Sequence, residues 1–185
     1  LSLSDSAHIL STTFAADAFL AGGGLALAKA DGFESWQTAI PQLGGVAGHA
    51  GLFSTATDLA SYAQMMINRG FYGGRRYFKR STIEDFTRRQ EIPTGSERTL
   101  GWDTPSEEGS LAGDLFSPGS YGHTGFTGTS MWIDPNRKIA VILLTNHVHP
   151  SRGKLGEESD MWKAEMREVR REFQNGVMKI LLEKN

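Results

Sequence analysis

The sequence contains no cysteine among its 185 residues. This absence excludes disulfides, thiolate zinc sites, iron–sulfur clusters and a cysteine nucleophile, and it leaves the cellular compartment open. The chain also has no large excess of charge of one sign, because it contains 19 basic and 21 acidic residues. A net charge of −2 gives no field that would recruit nucleic acid or an anionic membrane surface. No apolar run approaches the ~20 residues that cross a bilayer, so we expect no membrane span.

The remaining composition is that of a globular protein, with 39% hydrophobic and 22% charged residues. At roughly 150 residues per domain, the length favours one domain. Glycine is abundant, with 22 residues. Composition alone does not distinguish flexible glycines from glycines that shape the backbone around a site.

Helical periodicity predicts two helices in the first half of the chain. Thr55 is the expected N-cap of a helix that ends before Gly70. Ser81 is the expected cap of a second helix over residues 82–89, in which Ile83 and Phe86 face inward.

The second half of the chain predicts strands and then one long helix. Residues 127–134 and 138–145 flank a short turn and predict an antiparallel hairpin. The apolar run at 139–144 indicates a strand that is buried on both faces. An amphipathic helix is predicted over residues 159–182, with an apolar stripe and a solvated face of mixed charge that includes Arg170.

Two glycine-rich stretches could hold a functional site. In the first, His49 either lines a cleft or is a loop histidine that bonds to neighbouring carbonyls. In the second, His123 and Thr124 either present side chains to a ligand or form a glycine-rich start of a strand. The histidines at 147 and 149 lack carboxylates at helical spacing, so we expect no metal site.

A serine nucleophile is not apparent in the sequence. There is no Gly-x-Ser-x-Gly elbow, and the one Ser-x-x-Lys, at residues 151–154, has Gly153 between serine and lysine. An active Ser-x-x-Lys needs a helical turn so that the amine reaches the hydroxyl, and this glycine disfavours one. We interpret the match as accidental.

Two segments together resemble the serine β-lactamase-like family, in its class C, DD-peptidase and esterase branch. Residues 44–60 (GGVAGHAGLFSTATDLA) are similar to a loop-and-helix segment of that family. Residues 121–129 (YGHTGFTGT), followed by Asp134-Pro135 and by LLTN at 143–146, look like its third-motif strand and the hairpin after it. His-Thr-Gly would replace the commoner Lys-Thr-Gly triplet. The resemblance covers roughly residues 43–182 and does not extend to the first forty residues.

The resemblance implies a role for each matching residue. His123 would be the cation or proton-transfer partner of the triplet, and the backbone N–H of Phe126 would be one oxyanion-hole donor. Substrate contacts would come from Thr124, Gly125, Asn146, Arg152 and His49. No metal or other cofactor is implied.

The implied fold is α+β, part of the β-lactamase/transpeptidase-like fold, with helices before the sheet strands and an antiparallel sheet packed by a long C-terminal helix. Residues 43–185 would be the C-terminal part of that domain, and residues 1–42 a divergent, weakly helical segment that includes a helix over 7–19. The family's nucleophile and Tyr-x-Asn motifs have no counterpart here. Without the family's first strands, residues 139–144 would be an exposed sheet edge. That edge predicts a partner: the N-terminal half of the domain, a second copy of the chain, or the first forty residues folded into the gap.

Three hypotheses therefore remain. The chain is part of a serine hydrolase that acts by acyl transfer and is inactive alone, or a non-catalytic truncated homologue that binds a ligand or partner. The third is an unrelated α+β binding domain. A β-lactam, a D-Ala-D-Ala-type peptide and a small ester all suit the implied cleft.

Overall fold

The computed structural model describes residues 8–13, 54–125, 127–147 and 157–183. Its elements, in chain order, are β1 (His8–Thr13), α1 (Ala56–Ile67), β2 (Phe71–Tyr72), β3 (Arg75–Arg76), α2 (Arg80–Thr87), β4 (Tyr121–Thr124), β5 (Ser130–Asp134), β6 (Ile139–Leu144) and α3 (Glu157–Glu183). The predicted α+β class is confirmed, as is the order of helices, hairpin and long final helix. None of the helices in these ranges has the length and apolar character needed to cross a bilayer.

In the described ranges, the main sheet has four strands in the order β1-β6-β5-β4, and β2 and β3 form a separate small hairpin. β4, β5 and β6 are antiparallel, as predicted. All six residues of β6 are buried, which confirms the prediction that this strand is covered on both faces. The sheet therefore needs a layer of structure on each side.

Side-chain alternation along β5 directs its two faces to different helices. Ile133 packs in a cluster with Ala63 and Met66 of α1. Trp132, which is 1% exposed, packs on the opposite face with Met178 of α3. Because successive strand residues point to opposite faces, the two-residue period at 130–134 produces both contacts. The β4–β5–β6 hairpins thus lie between α1 and α3.

The N-terminal strand differs from the prediction. The predicted helix over 7–19 is wrong for residues 8–13, where the chain forms β1 and pairs in parallel with all of β6, from His8 opposite Ile139 to Thr13 opposite Leu144. The unpaired N–H and C=O groups of an apolar strand require partners, and this requirement outweighs a weak helical pattern. The edge of β6 is therefore covered by β1, which agrees with one of the three predicted partners, the first forty residues folded into the gap. Among the described residues, β1 is the last strand on that side of the sheet.

Helix α1 follows its prediction closely, whereas α2 does not. The Thr55 hydroxyl accepts a hydrogen bond from the Asp58 N–H at 3.0 Å and caps α1 as expected. In α2 the cap is Lys79, which makes no side-chain capping bond, and not Ser81. Phe86 was expected to face inward but is 48% exposed, and Ile83 alone is buried in α2. A helix of eight residues has room for only one well-covered position here.

The buried face of α3 is rotated from the predicted apolar stripe. Val169 and Ile180 of that stripe are exposed. The buried positions follow a four-residue spacing, at Met166, Arg170, Gln174 and Met178. Two of these four side chains are polar, and an apolar periodicity does not identify them. The placement of Arg170 on the solvated face is therefore wrong.

Asp134 ends β5 and anchors the turn of the β5–β6 hairpin. Its side chain is fully buried and accepts hydrogen bonds from the Ser117 hydroxyl at 2.8 Å and from the Arg137 guanidinium at 2.7 Å. The backbone N–H groups of Ser117, Asn136 and Arg137 each donate to it at 3.1 Å. Burial alone would raise the pKa of Asp134, but the hydrogen bonds from Arg137 and Ser117 together hold that pKa below its ordinary value.

We expect Asp134→Asn to lower the free energy of unfolding by about 2–4 kcal/mol at neutral pH, because the buried network loses its negative charge and one of its two acceptor oxygens. Since the pKa of Asp134 is lowered on folding, its stabilisation is complete above the ordinary value of 3.8 and is lost as pH falls through the lowered native pKa. Urea unfolding as a function of pH measures both effects. Asp85→Asn, a 65% exposed carboxylate, is the control and should change little. An Asp134→Asn stability equal to that of the control would contradict the account.

Candidate active site

The predicted triplet residues lie together at the carboxyl end of β4. His123 and Thr124 are the last residues of that strand, and Gly125 follows directly. Among the described residues, β4 is the last strand of the sheet on this side. Its outer edge is partly occupied, because Asp103 exchanges both backbone hydrogen bonds with Gly122, at 2.8 and 3.0 Å. Backbone groups two residues apart face the same side of a strand, so the N–H and C=O of Thr124 come next along this edge, and that C=O also has the His123 ring as a partner.

The His123 ring is exposed and held by its own strand. Its Nδ1 lies 2.8 Å from the carbonyl oxygen of Thr124. A carbonyl only accepts, so Nδ1 carries the hydrogen in the neutral ring, and Nε2 is the acceptor nitrogen. An imidazole ring of this kind has the chemistry of a proton-transfer partner.

A cation that the sequence did not indicate lies beside this histidine. The Arg98 guanidinium Nη2 is 3.5 Å from His123 Nε2 and 2.8 Å from the carboxylate of Asp103. Arg98 and Asp103 also form an isolated β-bridge, and Asp103 in turn bridges to Gly122. These contacts bring an arginine that is ion-paired with Asp103 to a triplet that has histidine at the position where lysine is commoner. No periodic pattern marks residues 98–103, so sequence reasoning missed Arg98.

The turn after the triplet is tightly closed and requires glycine. The Gly125 N–H donates to the Thr129 carbonyl at 2.8 Å, and the Gly128 N–H donates to the Gly125 carbonyl at 3.2 Å. Gly128 has φ +101°, and a Cβ there would lie 3.0 Å from Cε of Met166 and collide with the Thr145 hydroxyl. A left-handed backbone with no space for a side chain is available only to glycine.

Asn146 is brought to the same turn by its two neighbours. The Thr127 carbonyl accepts from the Thr145 hydroxyl at 3.1 Å and from the His147 N–H at 2.8 Å. Asn146 lies between these two residues, and its buried Oδ1 has no hydrogen-bond partner among the described residues. Asn146 thus lies between two residues that bond to the turn after Gly125, and its role as a substrate contact stays a prediction. The predictions for His49, Phe126 and Arg152 lie outside the described residues.

Arg170 of α3 is the second residue that sequence reasoning missed. It is 8% exposed, and its Nε donates to the Gly128 carbonyl at 3.0 Å. Its Nη2 donates to the Gly125 carbonyl at 2.6 Å and to the Thr129 carbonyl at 3.3 Å. Burial lowers the pKa of Arg170, and the like charge of Arg167 lowers it further. Its four-residue spacing from the buried Met166 is the signal that could have identified it. The charged residues around it made the whole stretch look solvated.

The tyrosines packed near β4 do not suit the role of a catalytic base. Tyr121 stacks edge-on against Trp102 with ring centroids 5.5 Å apart, and Trp102 stacks on Tyr62 at 6.3 Å. Burial raises the pKa of Tyr121 far above its ordinary value, and the neighbouring Tyr62 adds to this shift. Burial also raises the pKa of Tyr62. A tyrosinate base requires the opposite shift, so these directions disfavour both side chains as the base.

The chemistry available at this site is that of binding and charge stabilisation. Within the part of the chain that the structure describes, no cluster of three histidine, aspartate or glutamate side chains could hold a metal ion. The site offers the Thr124 edge for an extended ligand, the His123 ring for a proton and the Arg98 guanidinium for an anion. A nucleophile with an adjacent base is not among these groups.

Comparison with known proteins agrees with this geometry. A family model described as Beta-lactamase matches residues 7–162, a range that includes most of residues 1–42 as well as the triplet. Proteins of Salmonella gallinarum and Salmonella typhi, each named "Putative D-alanyl-D-alanine carboxypeptidase", are 43% identical to this chain over 109 residues. That alignment covers 58% of this chain and 25% of each relative, so the match spans about a quarter of their length. The family model matches well over half of the residues, and the chain therefore belongs to the beta-lactamase family.

Proposed function

We propose that this chain forms the triplet side of the active site of a serine hydrolase that transfers the acyl group of a D-Ala-D-Ala-type peptide. The observation that carries the proposal is the placement of His123, Thr124 and Gly125 at the open end of β4. Membership of the beta-lactamase family supports the reaction class. The names of the Salmonella relatives support the peptide substrate over a β-lactam or a small ester.

In this proposal, the substrate lies extended along the edge of β4 and pairs with the backbone of Thr124. A serine hydroxyl from outside the described residues attacks the scissile carbonyl carbon while a base takes its proton. The carbonyl π pair moves to oxygen, where the N–H of Phe126 binds the developing charge. When the pair returns, the C–N bond breaks and the leaving amine takes up a proton. The acyl–serine ester is then hydrolysed by water.

His123 would act on the proton or on the charge of the substrate. With Nδ1–H bound to Thr124, its Nε2 can relay a proton to the leaving amine. Arg98, whose guanidinium lies 3.5 Å from His123 and 2.8 Å from the Asp103 carboxylate, would offer its remaining N–H donors to the terminal carboxylate of the peptide. Arg152 and Asn146 are proposed as further contacts to that carboxylate, and His49 as part of the cleft wall.

A second candidate function is a ligand-binding module without turnover. It is favoured by the sequence, in which none of the four tyrosines begins a Tyr-x-Asn motif, and by the burial that raises the pKa of Tyr62 and Tyr121. In that case the edge of β4 and the Arg98 guanidinium would still bind an extended, anionic peptide.

The two candidates differ in covalent chemistry. We expect the purified chain alone to form no adduct with a fluorescent penicillin, since it would lack a competent nucleophile. A longer protein that joins this chain to a Ser-x-x-Lys and a Tyr-x-Asn segment should form one adduct per molecule, as measured by intact mass. One stoichiometric adduct on the chain alone would show that a nucleophile has been missed. No adduct and no turnover of D-Ala-D-Ala peptides by the longer protein would favour the binding module.

In the acylating protein, we expect His123→Ala to lower the acylation rate by about 10²–10⁴-fold, as for removal of a proton-transfer group. His123→Lys restores the commoner triplet and should recover at least a tenth of the rate. Stopped-flow measurement of acylation gives both values. Because the His123 ring is exposed, neither variant should change the thermal unfolding midpoint appreciably. Acylation at the wild-type rate by His123→Ala would remove this residue from the mechanism.

A further inference from the structure

The buried guanidinium of Arg170 has an unusual set of partners. Buried arginines are normally paired with carboxylates, because an uncompensated charge in the interior is costly. Among the described residues Arg170 forms no ion pair, and its donors go to the carbonyls of Gly125, Gly128 and Thr129. All three carbonyls belong to the turn that follows the triplet, which we name the triplet turn (residues 125–129).

Attachment of the helix to the sheet does not by itself require this charge. Met166 and Met178, four residues before and eight after Arg170, are buried on the same face of α3 and pack there without polar groups. An apolar side chain at position 170 would avoid the cost of desolvating a cation. The guanidinium instead binds backbone at the triplet turn, with Nε and Nη2 on different carbonyls.

We propose that Arg170 is a positioning residue, whose guanidinium fixes the triplet turn so that the N–H following Gly125 faces the substrate carbonyl. A planar trans peptide unit points its C=O and its N–H in opposite directions. Arg170 holds the Gly125 carbonyl towards α3 at 2.6 Å, and a trans unit with its carbonyl in that direction would point its N–H away from the helix. This inference rests on the proposed function, in which that N–H is the oxyanion donor.

The same contact strengthens the donor. A hydrogen bond from a cation to the carbonyl draws electron density through the peptide unit and makes its N–H a better donor. The positive charge under the triplet turn also favours negative charge on the substrate side, in a position fixed before the reaction begins. In this proposal Arg170 therefore both orients the N–H after Gly125 and strengthens its hydrogen bond to the oxyanion in the transition state.

Arginine and lysine differ at this site in the number and the geometry of their hydrogen-bond donors. Arginine presents Nε–H and Nη–H groups in a rigid plane, which here reach three carbonyls of one turn. A lysine keeps the charge but acts as a single point, and methionine keeps the approximate length without charge. Arg170→Lys and Arg170→Met therefore separate the geometry of the fork from the charge.

The kinetic test uses the longer protein that carries this chain and is acylated by a fluorescent penicillin. We expect Arg170→Met to lower the acylation rate constant by about 10–100-fold while the dissociation constant of the non-covalent complex changes less than about threefold, because only the transition state is affected. Arg170→Lys should be intermediate. Arg167→Met, an exposed arginine on the same helix, is the matched control and should keep the wild-type rate.

A second measurement does not depend on activity. With ¹⁵N-glycine labelling, amide hydrogen exchange of Gly125 and Gly128 reports the hydrogen bonds that close the triplet turn. Their exchange should be at least about tenfold faster in Arg170→Met, since the turn loses its anchor. The amide of Gly122, which donates to Asp103, is the internal control and should be unchanged.

The outcomes separate this inference from the proposed function. A wild-type protein that is never acylated overturns the proposed function and the catalytic part of this inference, while exchange still decides whether Arg170 holds the turn. Unchanged exchange at Gly125 and Gly128 overturns the positioning role outright. Faster exchange with a wild-type acylation rate overturns its catalytic consequence. If Arg170→Met does not fold, Arg170→Lys decides. A wild-type acylation rate together with wild-type amide exchange at Gly125 and Gly128 in Arg170→Lys would overturn the role of the guanidinium geometry.

Discussion

The burial of β6 is the constraint on which the rest of the structure depends. Its six successive residues are apolar and buried. Both faces of the strand must therefore pack against other elements, and the backbone groups at both edges must find hydrogen-bond partners within the protein. β5 satisfies one edge and β1 the other, and α1 and α3 cover the two faces. The positions of the hairpin, of the triplet turn and of Arg170 beneath it all follow from enclosing this one strand.

Local patterns predicted the elements that are stabilised locally. The helix capped by Thr55, the hairpin around Asp134 and the long final helix have periodicities or turn residues within a few positions of one another. β1 could not be predicted in this way, because its partner β6 lies more than 120 residues further along the chain. Phe86 was misplaced for a related reason, since coverage depends on neighbours that a helical period does not reveal.

The residues of the candidate site likewise divide into those that the sequence predicted and those that it did not. The triplet and Asn146 were predicted because their identity and order resemble a known family, and the structure brings them to one end of the hairpin. Arg98 and Arg170 were not predicted. Their significance lies in contacts to residues 25 or more positions away, and surface-like sequence surrounds both. A charged side chain in a charged stretch is read as solvated unless its burial is known.

The pair of hydrogen bonds between Asp103 and Gly122 also ties the segment that carries Arg98 to the sheet. Because residue 103 occupies both backbone groups of Gly122, a strand added at this edge cannot pair with Gly122. The chain thus covers part of the edge of its own sheet, which limits edge-to-edge association with another sheet.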